Sequence, residues 1–278
     1  MKLKFLHILV ALFMVTVSFA QKKEKIKGSK IVTATVKEVE SFDSVDVGDN
    51  LEIYLVKSDK NSVEIEADDN LHDAIIFEII GNTLKLSATK DVIRASKFKV
   101  RVNYTSELKM VVVKEKATLN ALADLNLEDI VIKNYDNSKS FLNVKSTNFS
   151  LILNDKAYAE LNIKAQKTTF ELTGNSKIKA LVASPEFKLD MYEKAKAEIE
   201  GDAAIANIRL DNSSEFKAKK LAVTEMNLKT EMNSYCEINV KDKVLISATG
   251  KSQVELLGDA KVELPVFRDT ARLQKIEK

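Results

Sequence analysis

The chain has 278 residues, with 43 Lys or Arg against 41 Asp or Glu for a net charge of +2, a single Cys and no Trp. A balance this close to neutral, without basic clusters interleaved with aromatics, excludes the electrostatic footprint of a nucleic-acid-binding protein. One Cys cannot close an intrachain disulfide, so the fold must be stabilised by its core.

Lys2 and Lys4 precede an apolar run from Phe5 to Val17, and Ser18-Phe19-Ala20 places small residues where a signal peptidase needs them. Residues 1–20 therefore read as a signal peptide, whose loss leaves acidic and basic residues equal in number. The run is too short and too polar-flanked for a spanning helix, and no later stretch approaches about twenty apolar residues, so no transmembrane span is expected in the mature chain. Gln21 rather than Cys follows the cut, which argues against a lipid anchor.

Residues 21–38 mix Lys and Glu with short β-branched runs such as Ile31-Val32-Thr33, and read as a tether and possible first strand. Residues 39–110 read as an N-terminal β-module that caps the repetitive remainder of the chain. Phe42, Val45 and Val47, a turn at Gly48-Asp49-Asn50, then Leu51, Ile53 and Leu55 form a hairpin-like pair. Val63 to Glu66 is a third strand, Asp68 to Asp73 a turn or short helical stretch, and Ile75 to Ile80 a fourth. Gly81-Asn82 turns into Thr83 to Ser87, and Lys97 to Tyr104 completes the module.

Residues 111–264 repeat. Small residues stand at Ala117, Ser138, Ala157, Ser176, Ala195, Ser214, Ser234 and Ser252, mostly 19 apart. Counting from each, the residue six before runs Val111, Ile132, Leu151, Phe170, Leu189, Ile208, Leu228, Ile246. The residue four after runs Ala121, Leu142, Leu161, Ala180, Ile199, Ala218, Ile238, Leu256. Both columns are apolar throughout, and so are most positions two residues away from them. The exceptions in those flanking columns are Lys109, Thr168, Asn134, Thr230, Ser140, Gly201, Lys220 and Gly258. Period-two apolar runs on both sides of a regularly spaced small residue predict strand, tight turn, strand and looser return. The spacing suits neither a helical repeat nor a hexapeptide coil. The expected fold is all-β: a right-handed-type parallel β-helix of about eight short coils in two main sheets, behind the N-terminal β-module. Pro265 and the polar tail 265–278 are expected to end it.

Outward, the column three after the small residue reads Glu160, Lys179, Glu198, Lys217, Glu237, so signs alternate between coils about 4.8 Å apart. On the other sheet Glu171, Asp190, Arg209 and Lys229 should stack. That row reads first as a solvated charge ladder and second as a polysaccharide site.

These residues resemble the auto-transporter adhesin head GIN domain family, exported Bacteroidota-type proteins of unknown function, over roughly residues 40–264. The opening Phe42-Asp43-Ser44-Val45-Asp46-Val47-Gly48 is similar to the family's start. The resemblance implies a β-helix, adhesion or surface scaffolding, and no catalytic residues. The family's Gly-Ser-Gly turn is matched here only in its first place, by Gly174 and Gly250, while Ser or Ala holds the third.

No catalytic, cofactor-binding or metal-binding residue is assigned. After export His72 is the only histidine, which excludes Ser-His-Asp, Cys-His and multi-histidine zinc sites. His72 reads as an exposed turn residue and Cys236 as an inert thiol in an inward column. Asp68, Asp69 and Asp73 lack the alternation of a calcium loop. The expectation is a non-catalytic binding or scaffolding protein, adhesin-like, in the periplasm, on the outer-membrane surface or outside the cell. Its partner would be an envelope or extracellular protein or polysaccharide. The alternatives are a carbohydrate-active enzyme of pectin-lyase-like shape and a purely structural envelope component.

Overall fold

The computed structural model describes residues 23–277; the expected leader lies outside the described residues. The chain winds into a β-solenoid of about nine turns whose successive coils lie parallel and in register. Long strands such as Lys139–Leu153, Tyr158–Leu172 and Lys196–Leu210 pass from one sheet into the other through a bend. Each coil thereby gives one segment to each of two sheets facing each other across the core. The register stacks Val111, Ile132, Leu151, Phe170, Leu189, Ile208, Leu228 and Ile246 in one row, all buried.

The exceptions to the apolar pattern have separate physical causes. Asn134 lies in the core, where its amide donates to Ser138 Oγ at 3.1 Å and its carbonyl accepts from Ser140 Oγ at 2.9 Å. The two serines supply the partners that a buried amide requires. Thr168 is registered between Phe149 and Phe187, and the neighbouring Phe170 packs edge-on to both rings, with centroids 6.2 and 5.4 Å away. A smaller side chain there leaves room for that ring, at the cost of a buried hydroxyl without a partner. Lys109 and Lys220 are exposed, and Leu108 and Leu221 occupy the interior instead. At Lys220 the cause is a register shift that absorbs the extra residue of a 20-residue coil. Gly201 and Gly258 sit where the strand bends, with φ of +112° and +85°. A Cβ on either would fall 2.0 Å from the carbonyl oxygen of Val182 or Val240 in the coil before.

The tight turn repeats as regularly as the core. Asp49, Glu115, Asp136, Asp155, Gly174, Glu193, Asn212, Met232, Gly250 and Asp269 all have φ between 57° and 72°. Each stands two residues before the inward-facing turn residue. The backbone ladder continues around this corner: Lys116 N–H donates to the Asp49 carbonyl and Lys156 N–H to that of Asp136, both at 2.8 Å. Side chains take over where the backbone offers no acceptor. The amide of Asp49 donates to the Glu115 carboxylate, and that of Glu115 to the Asp136 carboxylate, each at 2.9 Å. Acidic residues in this left-handed column thus bind the N–H of the coil before, which offsets part of their strain.

The N-terminal region departs from the expected hairpin. Ser44–Val47 and Glu52–Lys57 do not pair with each other; they form a coil whose strands pair in parallel with Met110–Val113 and Thr118–Ala121. On its other side lie Thr83–Ala88 and Phe98–Tyr104, also parallel. The turn at Gly48-Asp49-Asn50 is the solenoid corner, which sends the chain to the opposite sheet. Beyond these coils Ile75–Ile80 and Ser62–Asp68 run antiparallel, and Val32–Glu38 lies antiparallel outside the latter. This end is finished with polar contacts: His72 bonds Thr33 and Thr35 through its two ring nitrogens, and Lys37 lies over the Phe77 ring. At the other end two strands, Lys261–Phe267 and Arg272–Lys275, occupy the stretch expected as a polar tail from 265 onward. Pro265 does not stop the solenoid, because it sits on an edge strand at a register shift, where no ladder needs its missing N–H.

Two substitutions test this packing by denaturant unfolding. Gly201→Ala should destabilise the protein by about 2–4 kcal/mol, because backbone must move. Thr168→Val keeps the volume beside Phe170 and removes the unpartnered hydroxyl, and should stabilise by about 1 kcal/mol.

Candidate functional site

The outer face of the sheet that comes after the tight turn carries one row of alternating charge. Glu160, Lys179, Glu198, Lys217 and Glu237 align across the strands in alternating sign. Lys179 meets Glu198 at 3.6 Å, Lys217 meets Glu215 at 2.8 Å, and Lys219 lies 3.4 Å from both Glu237 and Glu255. Each exposed pair stabilises by only about 0–1 kcal/mol. Together they balance this row, while Lys139 and Lys177, in the outward column two residues before it, have no ion pair among the described residues.

The opposite sheet carries a groove. The register stacks Glu171, Asp190, Arg209 and Lys229 as the sequence predicts. Around the last three the surface sinks into a cleft of about 500 Å³. Short side chains make the floor: Asn207 and Asn227, joined amide to amide at 3.0 Å, then Ser247 and Thr249. Longer ones make the walls: Lys188, Arg209 and Lys229 toward the earlier coils, and Pro265, Val266 and Arg268 on the last. The depression exists because the row of long charged residues reaches Ser247 before the chain rises again at Pro265. Asn207, Asn227, Ser247, Thr249 and Arg268 are not among the residues that sequence reasoning singles out. The available signal is the run of short polar residues two positions from the charged row.

Most charges in the groove are tied to the residue two further along their own segment. Lys188 bonds Asp190 at 2.8 Å, which raises its ammonium above the ordinary lysine range, and Lys229 meets Glu231 at 3.1 Å. Arg209 is held more loosely. Its guanidinium lies over the Tyr192 ring, 3.7 Å from Glu231 and 4.0 Å from Asp211, and its Nε is sealed from solvent without an acceptor. Arg268 is exposed, and its side chain has no ion pair or hydrogen bond among the described residues.

The remaining candidates are placed elsewhere. Among the described residues no group of three His, Cys, Asp or Glu side chains is positioned to hold a metal ion. Cys236 is fully buried, and burial, with Glu237 and Glu255 nearby, pushes its thiol far above the ordinary range. Asp68 is buried near the N-terminal end of the stack, apart from Asp73. Its carboxylate accepts the N–H groups of Lys97 at 3.0 Å, Ser96 at 2.9 Å and Lys30 at 2.8 Å. Burial alone would raise its carboxyl; these donors and the charge of Lys30 outweigh that and lower it. Gly28 passes so close that a Cβ there would lie 2.2 Å from Asp68 Oδ2. Asp68 is a clasp that fastens the first described segment to the stack.

The sequence pattern of the family described as "Putative auto-transporter adhesin, head GIN domain" matches residues 41–260. Among solved structures, a putative adhesin from Parabacteroides distasonis superposes with a TM-score of 0.66 at 21% identity, over 91% of this chain and 100% of that one. A putative adhesin from Parabacteroides merdae gives 0.65 at 19% identity, over 91% and 99%. A structure described as a putative lipid binding protein, also from Parabacteroides distasonis, gives 0.64 at 14%, over 91% and 100%. At these identities the likeness is one of fold. No curated protein matches this sequence.

The Asp68 clasp gives a pH-dependent outcome. An aspartate in an unfolded chain titrates near about 3.9. A lowered carboxyl therefore contributes stability that is complete above that pH and is lost as pH falls toward the folded value. The stability gap between wild type and Asp68→Asn should be constant from pH 7 to 5 and narrow below about pH 4. Urea melts across this range check it, and a gap unchanged at pH 3 would place the effect elsewhere.

Proposed function

This chain belongs to the auto-transporter adhesin, head GIN domain family, and from that premise we propose that it is an exported, non-catalytic binding scaffold. The rigid solenoid presents its grooved face to a macromolecule of the cell envelope or its surroundings. The observation that carries the reading is the pairing of groups on the outer faces. In the groove, both carboxylates, Asp190 and Glu231, are engaged by Lys188 and Lys229. Most glycoside hydrolases use two carboxyl groups that face one substrate bond, one to donate a proton and one to act as base or nucleophile. In this groove the two carboxylates are held by lysines, and the rest of the polar surface is amides, hydroxyls and cations.

The leader-like pattern of residues 1–20 supports export, and the family's adhesin description supports an external partner. Among the described residues no helix is long and apolar enough to cross a membrane.

Two measurements test the reading. Purified protein incubated with a panel of polysaccharides should generate no new reducing ends or unsaturated products; their appearance would establish the enzyme alternative. In intact cells, external protease should cleave the protein if it is displayed at the surface, and a fully protected chain would restrict it to the periplasm.

A further inference from the structure

We propose that the groove binds an acidic polysaccharide, a chain of carboxylate-bearing sugars laid across the strands; this rests on the binding-scaffold reading and names its ligand class. Four cations and two carboxylates line the cleft, so its own charge is unbalanced toward positive. With Lys188 and Lys229 paired, the excess falls on the two arginines, which lack hydrogen-bond acceptors. Arg268 is free among the described residues, and Arg209 has carboxylates only at 3.7 and 4.0 Å with an unpartnered Nε. A guanidinium offers a planar fork of donors matched to a carboxylate.

The groups between the arginines fit a sugar chain better than a peptide or a nucleic acid. A peptide strand would add to a sheet edge through its main chain. The groove instead lies on a sheet face, where the strands Glu186–Met191, Lys196–Leu210, Glu215–Thr230 and Tyr235–Ala248 already pair on both sides, and its one edge strand, Lys261–Phe267, is interrupted by Pro265, which has no N–H to offer. What the face offers is side chains on three successive strands about 4.8 Å apart: the amides of Asn207 and Asn227, then the hydroxyls of Ser247 and Thr249. Such a series meets a ligand whose hydroxyl groups also repeat along its length. Leu245, Val266 and Pro265 supply apolar contact for ring faces. No aromatic side chain lines the cleft for base stacking, since Tyr192 is covered by Arg209. The opposite sheet, whose row from Glu160 to Glu237 alternates in sign, provides the internal contrast.

Affinity electrophoresis of the full chain tests the proposal in gels containing polygalacturonate, alginate, hyaluronate or neutral dextran, alongside sedimentation with phosphatidylglycerol vesicles. At least one acidic polymer should retard the protein while dextran and vesicles do not. Arg268→Ser should weaken that retardation at least tenfold. Lys217→Ser, which removes the same charge from the opposite face, should leave it unchanged. Equal losses in both variants would reduce the effect to net charge and overturn the site. Retardation by dextran, capture by vesicles, or indifference to Arg268→Ser would also overturn it. If no acidic polymer binds while surface display persists and no sugar is released, this ligand class fails and the broader scaffold reading stands.

Discussion

Every coil of this protein hydrogen-bonds in parallel and in register to the coils before and after it, and that single constraint generates the rest. A residue in such a stack has as its nearest lateral neighbours the same positions one coil away, about 4.8 Å above and below. An apolar residue needs apolar neighbours there, and the row from Val111 to Ile246 obeys without exception. Where a row is broken, the break is compensated in place. Asn134 is answered by Ser138 and Ser140, and Thr168 lies beside the bulk of Phe170. The corner residues obey the same rule in backbone form. One left-handed residue per coil recurs from Asp49 to Asp269, and several of its side chains bond the coil before.

This constraint also explains which parts of the fold were legible in the sequence. Wherever a coil has 19 residues, counting from the turn residue places side chains correctly, and apart from Gly201 the inward columns are buried; Cys236, in the 18-residue coil that begins at Ser234, is buried as well. Counting fails where coil length changes. In the 21-residue coil Leu122 and Ala123 bulge outward and Leu125 takes the interior place beside Val144. In the 20-residue coil Leu221 replaces Lys220. The first coils were illegible for a different reason. Their stacking order is not their chain order: Thr83–Ala88 lies beside Ser44–Val47 only after the chain has made the reversed strands of the cap. No period along the sequence records that excursion, so a solenoid corner at Gly48-Asp49-Asn50 has the sequence pattern of a hairpin turn.

The groove was half legible. Its charged row is dictated by register alone, because the spacing that stacks Leu189 on Ile208 must also stack Asp190 on Arg209. Its depth is not dictated by one row. Depth requires that Asn207, Asn227, Ser247 and Thr249 be short together across adjacent columns, and that the last coil rise again at Pro265. Arg268 completes the wall from the stretch whose polarity reads as a tail. A concave site on a flat sheet is thus a property of side-chain lengths in two dimensions, while a sequence read in period exposes one column at a time.

Separating inward from outward rows divides the labour of the molecule. The inward rows and the left-handed corners fix the stack, so outward residues can change without disturbing it, and recognition can be written in them. The two ends keep that recognition lateral. Parallel strands at an open end invite another chain to pair, and fibres form if nothing intervenes. At the N-terminal end reversed strands cover the parallel coils, and the polar contacts of His72, Thr33, Thr35 and Lys37 stand beside exposed Val32, Val36 and Ile76. At the other end Val262, Leu264 and Phe267 are exposed, but Pro265 withholds an N–H from the edge strand, and Lys261 and Lys275 pair there with Glu263 and Asp259. An approaching edge of the same kind would meet a missing donor and side chains of both signs already paired. The grooved lateral face differs from both ends in offering side chains for recognition while its own backbone is paired, Arg268 among them without a partner in the described residues.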